Sequence, residues 1–595
     1  MIDSLWQALR EQRSVGEQAW EVVRELHSRD RWSTFPQYNE SSAWCAETLR
    51  ELGVAQVERV AFPADGKSKF ADWMMPLAWD VKDATLELIA PAPQVLARYR
   101  EHPQSLVMWS APTPPGGTEG ELIVLEKGTR AEVEQTDVRG KIVFTPRHPT
   151  DIKALVAQRG GIGIVSDWMK AKDLPHERQW INTWSDAPGG WAMHAHDAPL
   201  WGFMLSPHEG ERLRQETARV GRNAPTLLRA RVDSRLYDGE LHYVTGIVPG
   251  ASEPSSPLPQ HGRGAGGEGE EVLLMAHINE QGANDNASGA ATVLTTAGIL
   301  CRLITQGTLP PPRCTIRFLL MPESYGAIAY AAQNSRGEAI CFAPTRTRVA
   351  LNVDGGAGDY DHEDSALEIF VNPHCCLNFA DAALVGLARD YYAQQKRPDK
   401  WKVKRYTLAG DNFFCDPLIG APHPWLEMGD GGDFWHNSAD TPDKVDPRSL
   451  RDLSTIVAAF VYFMAQAEEE DIRAYARETR ATLPEPDRSL LRFPDDAAMP
   501  LDVRSFAGHA LVPCRTLIGA LTLDGVPLEK WRRITSSPRW WSARLAAWWW
   551  ADGTRSLGEI AALIEREFGS PLDDAVEFFQ WLEGLGYVSM KGESR

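Results

Sequence analysis

The chain has 595 residues, 43% apolar and 24% charged, with a formal charge of −19 at pH 7. That length exceeds what one core organises, so two or three globular domains are expected. The acidic balance argues against general affinity for DNA, RNA or anionic membranes, which need a basic surface.

The first residues, MIDSLWQALREQRSVGEQAW, are amphipathic and acidic and lack the basic start and apolar core of a signal peptide. No run approaches the roughly 18 to 20 apolar residues that a membrane span needs. Residues 1 to about 55 keep apolar side chains at three- and four-residue spacing and are expected to be helical. Short strand patterns follow: TLELIA, then GELIVLEKG and DVRGKIVFTP, separated by turns. DIKALVAQRGGIGIVSDW predicts a helix stopped by Gly160 and Gly161 and followed by a buried strand. Residues 106–235 are thus expected to form a unit inserted between an N-terminal part, 1–105, and a core, 236–475.

The stretch 251–269, rich in Pro, Gly and Ser, predicts a mobile loop. Buried strands then alternate with amphipathic helices: EVLLMAH, ATVLTTAGILCRL, TIRFLLMPES, RVALNVDGG, ALEIFVNP and FADAALVGLARDYYAQQ. This rhythm predicts an α/β sheet flanked by helices. A last core helix, LRDLSTIVAAFVYFMAQAEEE, is expected to end near Glu470, with a linker over 476–499 and a third unit over 500–595. The eight cysteines include no C-x-x-C pair, so neither a disulfide framework nor a thiolate zinc knuckle is expected. Cys375 and Cys376 read as half-buried thiols, and the compartment as the reducing cytoplasm.

Four strand ends or strand-to-helix loops carry groups that suit a divalent metal. His277 ends LLMAH, Asp285 lies in the loop before the next helix, Glu323 ends RFLLMPE and Asp354 ends VALNVD. His436 lies in FWHNSADTPDKVDP, with Asp440 near enough to orient an imidazole. Imidazole and carboxylate together suit zinc, and a shared carboxylate suits a metal pair. Each residue alone has a blander reading: a core histidine, a helix cap, a turn. The joint pattern at successive strand ends is what carries the inference.

The segments AHIN…GANDNASG, FLLMPESYGAIAY, LNVDGGAG, AGDNFFCDPLIGAP and FWHNSADTPDKVD, between Val272 and Asp446, reproduce a known motif order. It resembles that of the zinc aminopeptidases of peptidase clan MH, metallopeptidase family twenty-eight, which includes bacterial leucyl aminopeptidase and aminopeptidase S. Within it, PESYGAIAY and FWHNSAD look closest to a bacterial branch with a C-terminal winged helix. The resemblance implies an α/β fold: a zinc-peptidase mixed sheet flanked by helices. DVRGKIVF…ALVAQRGGIGIV resembles a protease-associated domain, which implies an inserted α/β domain of that kind. It further implies that His277, Asp285 and Asp354 hold one zinc and that Asp285 bridges to a second held by His436. Glu323 matches the general base, and Asp411 an acidic position near the substrate pocket.

Two departures stand out. The family's Glu-Glu pair is here Glu323–Ser324, and its His-x-Asp is His277-Ile278-Asn279. A hydroxyl is a poor zinc ligand beside a carboxylate, so one or two zinc ions are left open, with Glu280 and Asp433 as candidate substitute ligands. The C-terminal unit looks like the small peptide-binding chaperone of PQQ biosynthesis. Its Trp540–Trp550 cluster is read as packing, with a peptide or partner protein as the rival occupant. The expected function is a metallo-aminopeptidase acting on peptides. A catalytically weak peptide-binding relative, and carboxypeptidase or N-deacylase chemistry, are the alternatives; oligomeric state is left open.

Overall fold

The computed structural model describes residues 2–10, 14–187, 190–220, 224–251, 270–334, 347–362, 365–408, 410–429, 433–498, 501–503, 506–522, 524, 526, 530 and 540–592. The expected loop over 251–269 lies almost wholly outside the described residues.

Eight strands build the principal sheet: β1 (Ala55–Ala64), β2 (Gly239–Val248), β3 (Glu271–Ile278), β4 (Thr315–Pro322), β5 (Thr347–Val353), β6 (Ala366–Phe370), β7 (Trp401–Lys404) and β8 (Trp425–Gly429). Their order is β1-β2-β4-β3-β5-β8-β6-β7. The centre, β4-β3-β5-β8, is parallel, while β1, β2 and the β8–β6 pair introduce antiparallel contacts. Every residue of β3 is buried. That is why its sequence is a continuous apolar run rather than an alternation. Helices Val15–Asp30, Ala287–Thr305 and Pro447–Gln466 pack on one another, and the latter two cover β3. The fold class is as expected, a mixed α/β sheet flanked by helices.

Helix Ala287–Thr305 corrects one reading. It is long and apolar enough to cross a membrane by length and composition, although no unbroken apolar run signals it. Interspersed Gly, Ser and Thr hide that character, and Arg302 is its single charged residue. Its small side chains are buried against β3 and the neighbouring helices, so it is a core helix.

A second sheet has seven strands in the order Gln94–Arg98, Ala78–Ala90, Leu227–Tyr237, Thr118–Val124, Ile142–Thr145, Gly163–Ser166 and Gly202–Met204. It therefore begins at Ala78 rather than at 106, because Ala78–Ala90 pairs antiparallel along its whole length with Leu227–Tyr237. Alternation in TLELIA marks a strand but not its partner. The segment 476–499 is not an open linker either. Helix Glu469–Thr482 packs on Ala380–Gln394 and buries Ile472, Ala476 and Thr479, a four- and three-residue spacing hidden among charges. The preceding helix stops at Gln466, where Ala467 is extended.

The C-terminal unit has helices Trp540–Trp550, Leu557–Phe568 and Ala575–Gly584 beside a two-stranded sheet, Val512–Arg515 with Val588–Lys591. Helix Leu557–Phe568 opens on a capping box, Ser556 with Glu559, and closes on left-handed Gly569. Trp548 and Trp549 are fully buried, and their indole N–H groups donate to the Gly519 carbonyl at 3.1 and 3.0 Å. Both indoles pack.

Candidate metal centre

β3 lies between β4 and β5, parallel to both, so the chain leaves it for one side and later returns on the other. Strand order reverses there, and such a switch point leaves a crevice at the carboxyl ends of the strands. Register sets the groups level. His277 pairs with Met321 and Met275 with Asn352, so Glu323 and Asp354, just beyond their strands, emerge beside the imidazole.

Asp285 arrives from the loop before helix Ala287–Thr305. The cap of that helix is Asn286, whose side-chain carbonyl accepts the N–H groups of Gly289 and Gly355, both at 3.1 Å. Asp285 is thereby relieved of capping and faces the crevice; the Asp285–Asn286 peptide is cis. Asp440, expected to orient His436, accepts the N–H groups of Asn284 at 2.7 Å and Asp285 at 3.0 Å. It fixes the loop that presents Asp285.

His436 has φ +53°, a conformation that non-glycine residues seldom adopt. Its carbonyl accepts from Trp180 N–H at 2.8 Å and from Gln179 Nε2 at 2.7 Å. Its ring stacks between Trp180 and Trp435, each 3.9 Å away between centroids. Trp180 belongs to a loop of the second-sheet unit, so that unit helps position the ring.

His277 Nε2 lies 3.3 Å from Glu280 Oε2, 3.6 Å from Asp285 Oδ1 and 3.9 Å from Asp354 Oδ1. His436 Nε2 lies 3.3 Å from Asp285 Oδ2 and 3.7 Å from Glu280 Oε1. Two donors bound about 2.1 Å from one tetrahedral ion stand roughly 3.4 Å apart, so these separations fit shared cations. Three overlapping sets each lie within 4.8 Å: His277, Asp285 and Asp354; Glu280, Asp285 and His436; and His277, Glu280 and Glu323. Asp285 turns one oxygen to each imidazole, which is the placement of a bridge.

The electrostatics point the same way. Burial raises the Glu323 pKa to about 8, with Asp411 and Asp285 adding to the rise. Burial and the neighbouring acids likewise hold Glu280 and Asp354 well above the carboxylate range. Asp285 moves down despite burial, because both imidazoles hydrogen-bond to it. Burial opposes charge on His277, yet Asp354, Asp285, Asp411 and Glu280 together raise it well above an ordinary imidazole. The group carries more acid than two imidazoles neutralise, and a divalent cation supplies the missing charge. Nitrogen with carboxylate oxygen is a donor set for zinc and its neighbours.

Asp411 is placed differently from the expectation at the substrate pocket. It is fully buried behind the imidazole, with Oδ2 3.0 Å from His277 Nδ1 and Oδ1 accepting the Ser324 N–H at 2.6 Å. A carboxylate there keeps the proton on Nδ1 and turns the Nε2 lone pair toward the acids. A carboxylate thus reaches the His277 imidazole from 134 positions away along the chain. The Asn279 N–H itself donates to Asp30 at 3.2 Å. Asp411→Asn is expected to weaken metal binding by about 10–100-fold, measured by competition with a chromogenic chelator; unchanged affinity would reject the brace.

Ser324 is buried at the start of helix Tyr325–Gln333, and its Oγ has no hydrogen-bond partner. Glu280 lies between the imidazoles and accepts from Asn182 Nδ2 at 2.7 Å. Asp433, the other substitute weighed, is exposed and joins none of the clusters found among the described residues. Gly410, at φ +74°, lies against the general-base candidate: a Cβ there would stand 2.5 Å from Glu323 Oε1. The cluster opens into a cleft of about 680 Å³ whose walls include Lys170, Trp180, Asn182, Glu427 and Trp435. Trp180 and Asn182 carry no motif that announces them in the sequence, whereas Trp435 stands in FWHNSAD.

A mixed sheet with a His/carboxylate cluster at its switch point is an architecture of metal-dependent hydrolases. Residues 261–461 match the family described as Peptidase family M28. No curated protein matches the chain. Among solved structures, the Peptidase M28 precursor from Shewanella amazonensis is 18% identical, with 78% of this chain and 97% of that one aligned at a TM-score of 0.54. BSAP, a zinc aminopeptidase from Bacillus subtilis, is 16% identical over 76% of this chain and 96% of its own, with a TM-score of 0.52. A candidate peptidase from Clostridium acetobutylicum is 14% identical, covers 99% of this chain and 100% of its own, and has a TM-score of 0.52. At these identities the likeness is one of fold.

Proposed function

We propose that the protein is a metal-dependent aminopeptidase that removes N-terminal residues from peptides. The observation that carries this reading is the convergence of His277, Asp285, Asp354 and His436, from 277 to 436 in the sequence, around one shared carboxylate beside Glu323. The match of 261–461 to a peptidase family supports it. His277, Asp285 and Asp354 would hold one zinc ion, and His436, Asp285 and Glu280 a second. A bound zinc acidifies water to a pKa of about 7 and polarises a carbonyl.

The chain's own residues do the rest. Glu323 takes the proton of the attacking water on its carboxylate and passes it to the departing amine. Asp411 holds the proton at His277 Nδ1. Glu427, in the cleft wall and outside the proposed ligand sets, favours a substrate with a free α-amine. The two indoles that sandwich the His436 ring form one flank of the cleft and hold that ring in place.

The second-sheet unit is read as a protease-associated-like insert and the C-terminal unit as winged-helix-like. The described cysteines are free thiols, in keeping with a reducing cytoplasm. Ser324, standing where the resembling family has a carboxylate, favours a second reading: a catalytically weak protein that binds peptides.

Metal analysis combined with aminoacyl-4-nitroanilide hydrolysis separates the two readings. Bound zinc is expected, with cleavage that a chelator abolishes and added zinc restores. Metal-free protein without chelator-sensitive cleavage would establish the binding reading instead.

A further inference from the structure

The loop that places Trp191 in the cleft wall reads WAMHAHDAP, and its two histidines and aspartate have no part in the proposed reaction. It lies between strands Gly163–Ser166 and Gly202–Met204 of the second sheet. A tight turn closes it. The Asp197 N–H donates to the His194 carbonyl at 3.1 Å, and Asp197 Oδ2 accepts the His194 N–H at 2.7 Å. The turn gathers His194, His196 and Asp197, and one donor atom of each lies within 4.8 Å of the others. The two imidazole planes are nearly parallel, 13° apart, with 5.7 Å between centroids. The cluster shares no residue with the candidate centre.

The imidazole of His194 is buried, and its Nε2 lies 3.1 Å from the Met74 carbonyl. A carbonyl accepts only from a protonated Nε2, so Nδ1 keeps its lone pair. Metal-ligating histidines are oriented in this way, through the N–H of their other nitrogen. The lone pair faces Asp197 Oδ2 at 3.7 Å, and His196 Nε2 stands 3.8 Å from Asp197 Oδ1. Asp197 is buried too, and among the described residues its ion-pair partners are these two imidazoles. Lys153, the buried lysine nearby, pairs with Asp186 at 2.6 Å. Burial, with His196 adding to it, holds the His194 pKa down at about 4, so that ring is uncharged at neutral pH. A buried carboxylate facing a bare nitrogen lone pair is repulsive, and a shared cation makes the contact attractive.

We propose that His194, His196 and Asp197 form a separate site for a divalent cation of the zinc class, which staples the loop bearing Trp191 to the core. The proposal does not depend on the aminopeptidase reading. Imidazole donors select zinc, cobalt or nickel over calcium and magnesium, which take oxygen. The separations of 3.7 and 3.8 Å approach the roughly 3.4 Å between ligands of a tetrahedral ion, with water completing the set. The His196 side chain is 53% exposed, which gives an ion its way in and lets the ring rotate inward. The turn is also a junction. Ala195 N–H donates to the Gly66 carbonyl at 3.1 Å, Leu77 N–H to the Met193 carbonyl at 2.9 Å, and Ala192 N–H to the Tyr325 hydroxyl at 3.1 Å. Gly66, at φ +68°, admits the turn: a Cβ there would stand 2.5 Å from Ala195 N. Asp197 already accepts two amide N–H groups and His196 is half exposed, so this position fills after the candidate centre, with zinc in excess.

The test titrates the metal-free full chain with zinc and counts ions by native mass spectrometry. In excess zinc the wild type is expected to hold one ion more than His196→Ala, a variant that leaves the backbone bonds of the turn in place. Affinity at this position should fall by more than the about 10–100-fold that loss of a supporting partner costs. A second comparison strips the candidate centre: His277→Ala with His436→Ala is expected to keep one ion, which adding His196→Ala removes. Zinc should also slow amide hydrogen exchange over 191–198 in the wild type and not in His196→Ala. Equal ion counts with and without His196, or exchange in that segment unmoved by zinc, would overturn the proposal. A wild type that binds this ion alone would uphold it while counting against the metal centre of the cleft, so the two readings fail separately.

Discussion

Replacing Glu323 by glutamine is expected to lower kcat for aminoacyl-4-nitroanilides by about 10²–10⁴-fold, the usual contribution of a positioned general base. Metal content should stay at the wild-type level. Glutamine keeps the size and most of the hydrogen bonding of glutamate but cannot accept the proton of water. The position suits the role: Glu323 follows its strand directly and lines the cleft beside the candidate ligand set. Two outcomes would count against the assignment. Retained turnover would mean that another group moves the proton. Loss of metal would make Glu323 a ligand, a role its place in the set with His277 and Glu280 permits.

The second large effect concerns Glu280. Glu280→Gln is expected to reduce bound zinc from two ions to one, read by native mass spectrometry. Affinity at the depleted position should fall by more than the about 10–100-fold seen when only a ligand's supporting partner is lost. The reason is local. Ser324 offers a buried hydroxyl where a carboxylate is needed, while Glu280 puts Oε1 3.7 Å from His436 Nε2 and Oε2 3.3 Å from His277 Nε2. If Glu280 served only to hold Asn182, the zinc count would not change. A count of one in the wild type would show that the loss at Ser324 was never compensated.

Much of the candidate centre is legible in the sequence because its candidate ligands follow strands that announce themselves. Continuous apolar runs such as EVLLMA and RFLLM mark buried parallel strands, and a polar residue at the end of such a run is exposed to the switch-point crevice. His277, Glu323 and Asp354 were found that way, and Asp285 through its small-residue loop. Asp411 was picked out but given the wrong neighbour. Its carboxylate lies behind the imidazole because the loop bearing Gly410 folds down onto Glu323 and Ser324, a tertiary contact with no periodicity. Glu280 was weighed only as a substitute, since nothing in sequence order states that it ends up between two imidazoles.

The fold divided along similar lines. Period and run length identified the strands and helices of the core and of the C-terminal unit. They could not show that Ala78–Ala90 leaves the first sheet for the second, since alternation reports a half-buried strand without naming its partner. Helix Glu469–Thr482 was missed because three buried side chains in fourteen residues are outnumbered by charges.

The stacking of Trp180 on His436 and the hydrogen bond from Asn182 to Glu280 have a practical corollary. Both partners lie outside 261–461, the stretch that marks the chain as peptidase-like. A fragment trimmed to that stretch would inherit the ligands but lose the scaffolding that aims them. Ownership of the candidate centre is distributed, and the loop of the second-sheet unit is as much a part of it as the strands that bear the acids.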